Sequence, residues 1–224
     1  MCPSDSDRVA CPVGESECEV IDQLQAAHRK NRGLEQLVHI DTLTGLYNYR
    51  HFIQALDREM ERTRRTGQPI SLVMIDLDHF KEINDRWGHE VGNRVLRRTA
   101  KIMRQMVRKI DVPCRYGGEE FALILPGTQL GLAVNVANRL REAIEHSSVI
   151  LEGEEAVRFS VSMGADLFLP GQGDTAASFV ERADRLLYQA KREGRNRVCH
   201  AEYRYLSPES EVSAEEKRAL YEEE

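Results

Sequence analysis

The segment ISLVMIDL at Ile70–Leu77 constrains the fold more than any other part of the sequence, because its eight residues are almost wholly apolar. Such a run is typical of a strand that is buried on both faces of a sheet, and strands of this kind are covered by helices on each side. Asp76 and Asp78 stand at its carboxyl end, where ligands tend to bind in α/β sheets. We therefore predict an α/β protein with this segment as its central strand.

The sequence on either side of this strand alternates helical and extended patterns. Amphipathic periodicity predicts helices at residues 49–65, 79–86, 90–107, 130–146 and 175–192, and short apolar runs predict strands at 112–116, 121–125, 158–167 and 196–200. The first two of these strands are joined by GGEE, which is the layout of a hairpin. The predicted fold class is therefore α/β (α+β), with a mixed central β-sheet surrounded by helices.

The chain divides into four predicted segments: a polar, disordered lead-in at 1–16, a helix at 17–40, a globular domain at 41–201 and an acidic tail at 202–224. In the helix, Val20, Ala27 and Leu34 recur every seven residues, and Asn31 lies in a second such row, as in a parallel coiled coil. An Asn at this position pairs with its copy on an identical helix, which predicts a homodimer. The alternative is a single amphipathic helix that lies on the domain.

Composition excludes several classes of protein. The 31 Lys and Arg residues against 37 Asp and Glu give a net charge of −6, which lacks the basic surface of a nucleic-acid-binding protein. No apolar stretch reaches the roughly 18 residues that a membrane span needs, so we expect a soluble, cytoplasmic protein without a membrane partner. Five cysteines do not indicate a disulfide framework. Cys2, Cys11 and Cys18 are expected to be reduced thiols, with a redox- or metal-sensing role as the alternative, and Cys114 and Cys199 are expected in the core.

Acidic residues are predicted to converge at the end of the central strand. The hairpin tip carries Glu119 and Glu120, and a hairpin beside the central strand would bring one of them next to Asp76. At an isolated turn, the same carboxylates would merely be solvated. Converging carboxylates without His or Cys partners suit magnesium, which commonly holds substrate phosphates. Phosphoryl or nucleotidyl transfer is the chemistry that this pattern favours.

Two turns carry candidate phosphate contacts. The turn after Asp78 opens a helix at His79, Phe80 and Lys81, whose backbone N–H groups and positive dipole end can bind phosphate oxygens. A glycine-containing turn near the end of the domain carries Lys191 and Arg195, a second candidate clamp. Alternatively, these two residues only interact with the dipole of the helix that ends there.

Five motifs together resemble a diguanylate cyclase domain of the GGDEF family, here in its GGEEF variant. They are DTLTGLYNYRHF at 41–52, DLDHFKEINDRWGHEVGN at 76–93, RYGGEEF at 115–121, FSVSMGAD at 159–166 and ADRLLYQAKREGRNRV at 183–198. The resemblance covers about 160 residues in the family's order and spacing. It implies a palm-like core similar to nucleotide cyclases and polymerases, which condenses two GTP into cyclic di-GMP and releases pyrophosphate.

The resemblance also implies the site residues. The metal ligands for magnesium or manganese would be Asp76, Glu119, the Leu77 carbonyl and Glu120, and the three acidic residues would be catalytic. The residues implied to bind GTP are Phe80, Lys81, Asn84, Asn93, Gly117, Gly118, Lys191 and Arg195. Because each domain of this family holds one GTP, two half-sites must face each other in a two-fold dimer, and the heptad helix would raise their effective concentration.

A further match is the RxxD pair Arg108 and Asp111, ahead of the GGEEF hairpin. It resembles the family's inhibitory site, at which the product cyclic di-GMP binds, and Arg139 and Arg62 are candidates to complete that site. The guanidinium group suits a phosphate or a guanine edge, and the carboxylate can accept hydrogen bonds from guanine. The alternative is a surface ion pair of little energetic value.

One position departs from the family's GHxxGD pattern, because the chain reads GHEVGN and places Asn93 where the family has Asp. An amide oxygen accepts one hydrogen bond from guanine, but the amide nitrogen is itself a donor, so guanine binding should weaken. Asn can also bond to adenine. We therefore expect cyclic di-GMP as the main product, with some cyclic GMP-AMP as the alternative. A second alternative is a non-catalytic module that binds cyclic di-GMP or GTP.

Overall fold

The computed structural model of the chain describes residues 39–151, 155–169, 171 and 173–202. The predicted lead-in and almost all of the predicted heptad helix, with Cys2, Cys11 and Cys18, lie outside the described residues, as does the tail beyond residue 202. Within the described ranges, no helix combines the length and the apolar character that a membrane span requires.

The described helices lie within one residue of their predicted bounds. They are α1 (Tyr49–Thr66), α2 (Phe80–Trp87), α3 (His89–Met106), α4 (Leu130–Glu145) and α5 (Ala176–Arg192). Local capping explains where α1 begins and ends. The Asn48 side chain accepts a hydrogen bond from the His51 N–H, and Gly67 ends the helix in the left-handed conformation with φ 77°.

The strands form one mixed central sheet and one separate hairpin, which confirms the predicted fold class. They are β1 (Ile70–Leu77), β2 (Val112–Arg115), β3 (Glu120–Pro126), β4 (Ser148–Ile150), β5 (Ala156–Arg158), β6 (Val161–Phe168) and β7 (Val198–His200). The central sheet has the order β2-β3-β1-β6-β7. Strand β1 pairs antiparallel with β3 and β6, while β6 and β7 are parallel. Every residue of β1 is buried, as the apolar run predicts.

Alternate side chains of β1 enter two separate hydrophobic cores. Val73, Ile75 and Leu77 pack with α2, α3 and α4 on one face of the sheet, whereas Leu72 and Met74 pack with α1 and α5 on the other. The two cysteines that were predicted to lie in the core are both buried. Burial of large apolar side chains on both faces supplies the main free energy that holds the sheet between its helices.

Helix α5 lies unusually close to the sheet at Gly164 of β6. A Cβ atom at this position would lie 2.2 Å from the Ala183 carbonyl oxygen and 2.2 Å from the Leu187 backbone nitrogen. Both obstacles are backbone atoms, so they cannot rotate away. Only glycine permits this approach, and it fixes the helix that carries Lys191 against the sheet.

The sequence prediction was wrong around residues 147–160. A single strand was predicted at 158–167, but the structure divides this stretch into β5, which pairs with β4, and β6, which enters the central sheet. The apolar residues Val157, Phe159 and Val161 are all buried, so their alternation continues through the break and hides it. Strand β4 has three residues, which is too short for a periodic signal.

Candidate active site

Strand register brings the predicted carboxylates together. Glu120 of β3 lies directly opposite Asp76 of β1, and the Leu77 N–H donates to the Glu119 carbonyl oxygen at 3.3 Å. The hairpin closes through the Tyr116 and Gly117 N–H groups, which donate to the Glu120 carbonyl oxygen at 2.8 and 3.1 Å. The hairpin tip and the carboxyl end of β1 therefore form one acidic edge, as the sequence predicted.

Gly117 gives the Glu120 side chain the room that it occupies. A Cβ atom on Gly117 would lie 2.7 Å from the Glu120 carboxylate, closer than nonbonded atoms approach. Gly118, by contrast, is exposed and faces open space. The first glycine thus lets a carboxylate fold over the turn.

Lys191 at the end of α5 completes this edge. Its ammonium nitrogen lies 2.9 Å from a carboxylate oxygen of Asp76. Burial raises the pKa of Asp76, as do the neighbouring charges of Glu119 and Asp78, while the hydrogen bond and charge of Lys191 oppose the shift. Burial and the charge of Asp76 also raise the pKa of Glu120. Burial is the main cause of both raised pKa values, and repulsion between the neighbouring carboxylates adds to it.

Asp184 belongs to the same charged cluster, although sequence reasoning missed it. Burial raises the pKa of its carboxyl group, and its charge in turn raises the pKa of Glu120 and of Tyr116. It lies seven residues before Lys191 on α5. Two helical turns place both residues on one face, so this spacing is the signal that could have identified Asp184.

The donor atoms at this edge fit a magnesium ion in kind. Asp76, Glu119 and Glu120 offer carboxylate oxygens, and the Leu77 carbonyl offers a fourth oxygen, which is the ligand type that hard cations prefer. Among the residues that the structure describes, no three or more His, Cys, Asp or Glu side chains are gathered closely enough to hold a metal ion. In the structure, the Lys191 ammonium group forms an ion pair with Asp76, so this carboxylate already has a positively charged partner.

The first turn of α2 is open to an anion. His79 precedes it in the left-handed conformation with φ 55°, and its side chain makes no capping hydrogen bond to the helix. Phe80 is buried and anchors the turn, while Lys81 is exposed beside it. Uncapped backbone N–H groups at a helix start carry partial positive charge. Phe80 and Lys81 therefore lie at a helix start that could bind an anion, and their contacts to phosphate stay a prediction.

Asp78 has a role that the sequence did not indicate. Its carboxylate accepts hydrogen bonds from the hydroxyl groups of Ser160 and Ser162 at 2.7 and 2.6 Å, and from the Asn196 N–H at 3.1 Å. Asp78 therefore ties the end of β1 to the turn after α5. That turn contains Arg195, which is exposed and left-handed with φ 62°. Asp78 holds the backbone of the second candidate phosphate clamp in place.

Packing of α2 against α3 places Asn84 beside Gly92, the residue before Asn93, so the two predicted base contacts lie near each other. Asn84 of α2 lies over Gly92 of α3, where a Cβ atom would stand only 1.9 Å from the Asn84 side-chain oxygen. The amide nitrogen of Asn93 donates to a carboxylate oxygen of Glu90 at 3.4 Å. Hydrogen bonds from Arg97 and Asn93 lower the pKa of Glu90, so Glu90 is ionised at neutral pH.

The RxxD pair forms a tight turn after α3. A carboxylate oxygen of Asp111 accepts the Arg108 N–H at 2.7 Å, and the Asp111 N–H donates to the Arg108 carbonyl at 3.1 Å. Asp111 is 7% exposed, and within the described part of the chain its other carboxylate oxygen has no hydrogen-bond partner. Burial raises the pKa of this carboxyl group. A buried carboxylate oxygen without a hydrogen-bond partner is costly, so this oxygen is a candidate acceptor for a ligand.

The two further arginines lie in different places. The Arg139 guanidinium donates to the Met106 carbonyl at 3.4 Å, which places it beside the Arg108 turn. Arg62 lies on α1, which covers the other face of the sheet, and pairs with Glu59 at 3.5 Å. Within one chain, the structure therefore brings Arg139 but not Arg62 towards the RxxD pair.

Known proteins are similar to this domain in both sequence and fold. Residues 38–197 match the family described as diguanylate cyclase, GGDEF domain. The response regulator PleD of Caulobacter vibrioides is 43% identical over 164 residues, which are 73% of this chain and 36% of PleD. The diguanylate cyclase DosC of Escherichia coli is 39% identical over 161 residues, which are 72% of this chain and 35% of DosC. The chain thus spans about a third of the length of these two relatives.

A solved structure gives the same result for the fold. The coiled coil and GGDEF domain of DgcB from Caulobacter crescentus, in complex with c-di-GMP, superposes with a TM-score of 0.74 at 33% identity. The superposition covers 81% of this chain and 97% of the DgcB chain. Because the family match covers residues 38–197, more than half of the sequence, the chain belongs to the diguanylate cyclase, GGDEF domain family.

Proposed function

We propose that this chain is a diguanylate cyclase, which condenses two GTP into cyclic di-GMP and two pyrophosphates. The observation that carries the proposal is the juxtaposition of Asp76 and Glu120 across β1 and β3, with Glu119 at the adjoining hairpin tip. Names of relatives support the same activity, since DosC is called a diguanylate cyclase and DgcB was solved with c-di-GMP.

The residues divide between the metal and the nucleotide. Asp76, Glu119, Glu120 and the Leu77 carbonyl would hold magnesium or manganese. When bound, the ion supplies positive charge that polarises the phosphoryl oxygens and helps to ionise the attacking hydroxyl. The triphosphate would lie between the α2 turn and the end of α5, with contacts from these residues: Phe80, Lys81, Lys191 and Arg195.

The proposed reaction is a displacement at phosphorus. The ribose 3′-hydroxyl of one GTP attacks the α-phosphorus of the other, the new P–O bond forms, and the bond to pyrophosphate breaks. A second identical step closes the ring. Because one domain binds one GTP, the two nucleotides face each other in a two-fold dimer. We propose that the segment at 17–40 holds the two domains together through its heptads.

Base selection in this proposal depends on Asn93 and Glu90. The Asn93 amide nitrogen is engaged by the Glu90 carboxylate, which leaves its oxygen to accept a hydrogen bond from guanine. The ionised Glu90 adds a second acceptor nearby. Glu90 takes only one of the two amide hydrogens of Asn93. Adenine is nevertheless disfavoured, because the ionised Glu90 carboxylate repels the ring-nitrogen acceptor of adenine. This supports cyclic di-GMP as the main product, with cyclic GMP-AMP as the second candidate if the Glu90 contact is lost.

Product inhibition is proposed at the RxxD turn. The unpartnered oxygen of Asp111 and the Arg108 guanidinium offer an acceptor and a donor to a guanine or phosphate, and Arg139 lies close enough to add a second guanidinium. Arg62 would contribute only from another domain, since α1 covers the opposite face of the sheet.

Purified protein incubated with Mg²⁺ and GTP, alone and mixed with ATP, tests the activity when the products are identified by mass spectrometry. Cyclic di-GMP from GTP is the expected result, and its presence as the main product in the mixture would support guanine selection. A mixed dinucleotide as the main product would refute the selection of guanine over adenine. If no product forms at any protein concentration but the protein still binds cyclic di-GMP, the chain is a receptor module and not a cyclase.

A further inference from the structure

The N-terminal turn, residues 39–48, is a closed structure built around the Asp41 side chain. One carboxylate oxygen of Asp41 accepts hydrogen bonds from the N–H and the hydroxyl of Thr44, at 2.8 and 2.5 Å. The Gly45 N–H donates to the Asp41 carbonyl, and the Asp41 N–H donates to the Leu46 carbonyl, both at 2.8 Å. This turn is where the chain from the predicted heptad helix enters the domain.

Backbone hydrogen bonds attach the N-terminal turn to the edge of the sheet. The Tyr47 N–H donates to the Pro113 carbonyl at 3.3 Å, and the Arg115 N–H donates to the Tyr47 carbonyl at 2.7 Å. Tyr47 and Cys114 therefore form a parallel bridge beside β2. The turn thus extends the central sheet by one further pairing, next to the strand that leads into the GGEEF hairpin.

The Arg115 side chain joins the N-terminal turn to the hairpin tip. One terminal nitrogen donates to both carboxylate oxygens of Asp41, at 3.2 and 3.1 Å. The Nε atom donates to the carbonyls of Gly117 and Gly118, both at 3.1 Å, and the other terminal nitrogen donates to the Gly118 carbonyl at 2.8 Å. One planar guanidinium therefore reaches both structures, which the shorter, single-centred Lys ammonium group cannot do.

Burial makes these contacts stronger than those of a surface ion pair. The side chains of Arg115 and Asp41 are 17% and 21% exposed. Burial alone would raise the pKa of Asp41, but the Thr44 hydrogen bonds and the Arg115 charge bring it below its usual value. Asp41 is therefore ionised at neutral pH and remains a full partner for the guanidinium.

We infer that Arg115 is a positioning residue for the hairpin and that Asp41 holds it, so that the N-terminal turn and the hairpin tip move as one rigid body. Arg115 fixes the Gly117 and Gly118 carbonyls, and these fix the direction in which Glu119 and Glu120 face Asp76. A displacement of the N-terminal turn is then transmitted to the hairpin tip through the Arg115 side chain, in addition to the backbone pairing of Tyr47 with β2. The catalytic consequence rests on the proposed function, whereas the mechanical link does not.

Amide hydrogen exchange tests the link without any turnover. The amides to follow are those of Leu77, Tyr116 and Gly117, because the first bonds β1 to the hairpin and the other two close the hairpin itself. In Arg115→Gln, we expect their exchange to accelerate about tenfold, since charge-assisted bonds at two carbonyls are lost. In Asp41→Asn, which does not touch the hairpin, the same amides should accelerate in the same direction. Arg115→Lys should fail to restore their protection.

Asp174→Asn is the matched control. Asp174 also pairs with a guanidinium, that of Arg182 at 2.7 Å, and is 28% exposed, but it lies at the other end of β6 from the hairpin. The substitution Asp174→Asn should leave the hydrogen exchange of the three amides unchanged, although it removes a comparable ion pair. Thermal unfolding of every variant verifies that each one folds. Unchanged hairpin exchange in both Asp41→Asn and Arg115→Gln would overturn the inference.

Kinetics provide the second readout. Because the α2 turn and the end of α5 keep their triphosphate contacts, Asp41→Asn should lower kcat several-fold while the KM for GTP changes little. A purely structural loss of folded protein would lower the apparent kcat of Asp174→Asn equally, and that result would refute the positioning role. If the parent protein makes no cyclic di-GMP, the proposed function fails, and the exchange data still decide the mechanical link.

Discussion

Substitution of Gly92 by alanine tests whether the packing of α2 against α3 positions Asn84, the proposed guanine contact. A Cβ atom here would lie 1.9 Å from the Asn84 side-chain oxygen and 3.1 Å from the end of the Phe80 ring. Since nonbonded atoms settle at about 3.5 Å, the Asn84 oxygen must withdraw by about 1.5 Å. Asn84 is a flexible side chain at a half-buried position, so it can rotate away from Gly92 and change the position of its hydrogen-bonding groups.

The expected free-energy changes distinguish an effect on folding stability from an effect on GTP binding. Alanine is favoured over glycine inside a helix by about 1 kcal/mol, whereas an added methyl group in filled space costs about 1–3 kcal/mol. The free energy of unfolding should therefore fall by no more than about 2 kcal/mol. If Asn84 binds guanine as proposed, loss of its hydrogen bonds should cost about 1.5 kcal/mol or more, which is about tenfold in the affinity for GTP.

A double-mutant cycle is the assay. GTP affinity is measured by calorimetry for Gly92→Ala, Asn84→Ala and the double variant, with Gly131→Ala as control, because a Cβ on that helical glycine meets nothing within 4 Å. If Gly92 acts through Asn84, the double variant should bind GTP no worse than Asn84→Ala alone. Fully additive losses, or a Gly92→Ala variant that binds GTP like the parent, would refute the reasoning.

Three further outcomes follow from the site and a fourth from the core. Asp76→Asn and Glu120→Gln should each lower turnover by about 10³-fold, because each removes charge that the proposed metal needs, while cyclic di-GMP binding persists in calorimetry; retained turnover would contradict the metal assignment. Arg108→Ala should weaken product inhibition by about tenfold or more in initial-rate assays, and unchanged inhibition would remove the assigned site. Glu90→Gln should increase ATP incorporation in mixed-substrate mass spectrometry, since Asn93 loses its ionised partner; an unchanged product ratio would exclude that role. Cys114, with burial raising its pKa to about 12, should resist alkylation in the folded protein as mapped by peptide mass spectrometry, whereas rapid labelling would contradict its burial.

Local pattern predicted most of the fold because the elements are long and strongly periodic. The bounds of β1 follow from its apolar run, and the pairing of Asp76 with Glu120 follows from placing a hairpin beside that strand. The β4–β5 hairpin was missed because three-residue strands carry no period and the alternation at Val157 continues across the break. Sequence pattern thus predicted the central sheet and its helices, and it failed where one predicted strand is divided between two sheets.

The candidate site was predictable where its residues lie close in sequence. The helix that starts at Phe80 is visible in the motif itself. The pairing of Asp41 with Arg115 spans 74 residues, and Asp78 reaches the Asn196 backbone across 118 residues. Nothing in local periodicity encodes such contacts, since they arise only when distant elements pack. Sequence pattern could therefore assign each carboxylate to its strand or turn. The groups that hydrogen-bond to these carboxylates became visible only in the tertiary structure.

The position of β1 at the centre of the sheet has a consequence during synthesis of the chain. Its two neighbours, β3 and β6, are encoded later, and β6 is complete only at Phe168, about 90 residues after β1 ends. At a translation rate of about 5–20 residues per second, β1 waits roughly 5–20 s for its second partner. An eight-residue apolar strand without partners is a template for aggregation. Yield of folded protein should therefore depend on chaperones and temperature more than its final stability indicates.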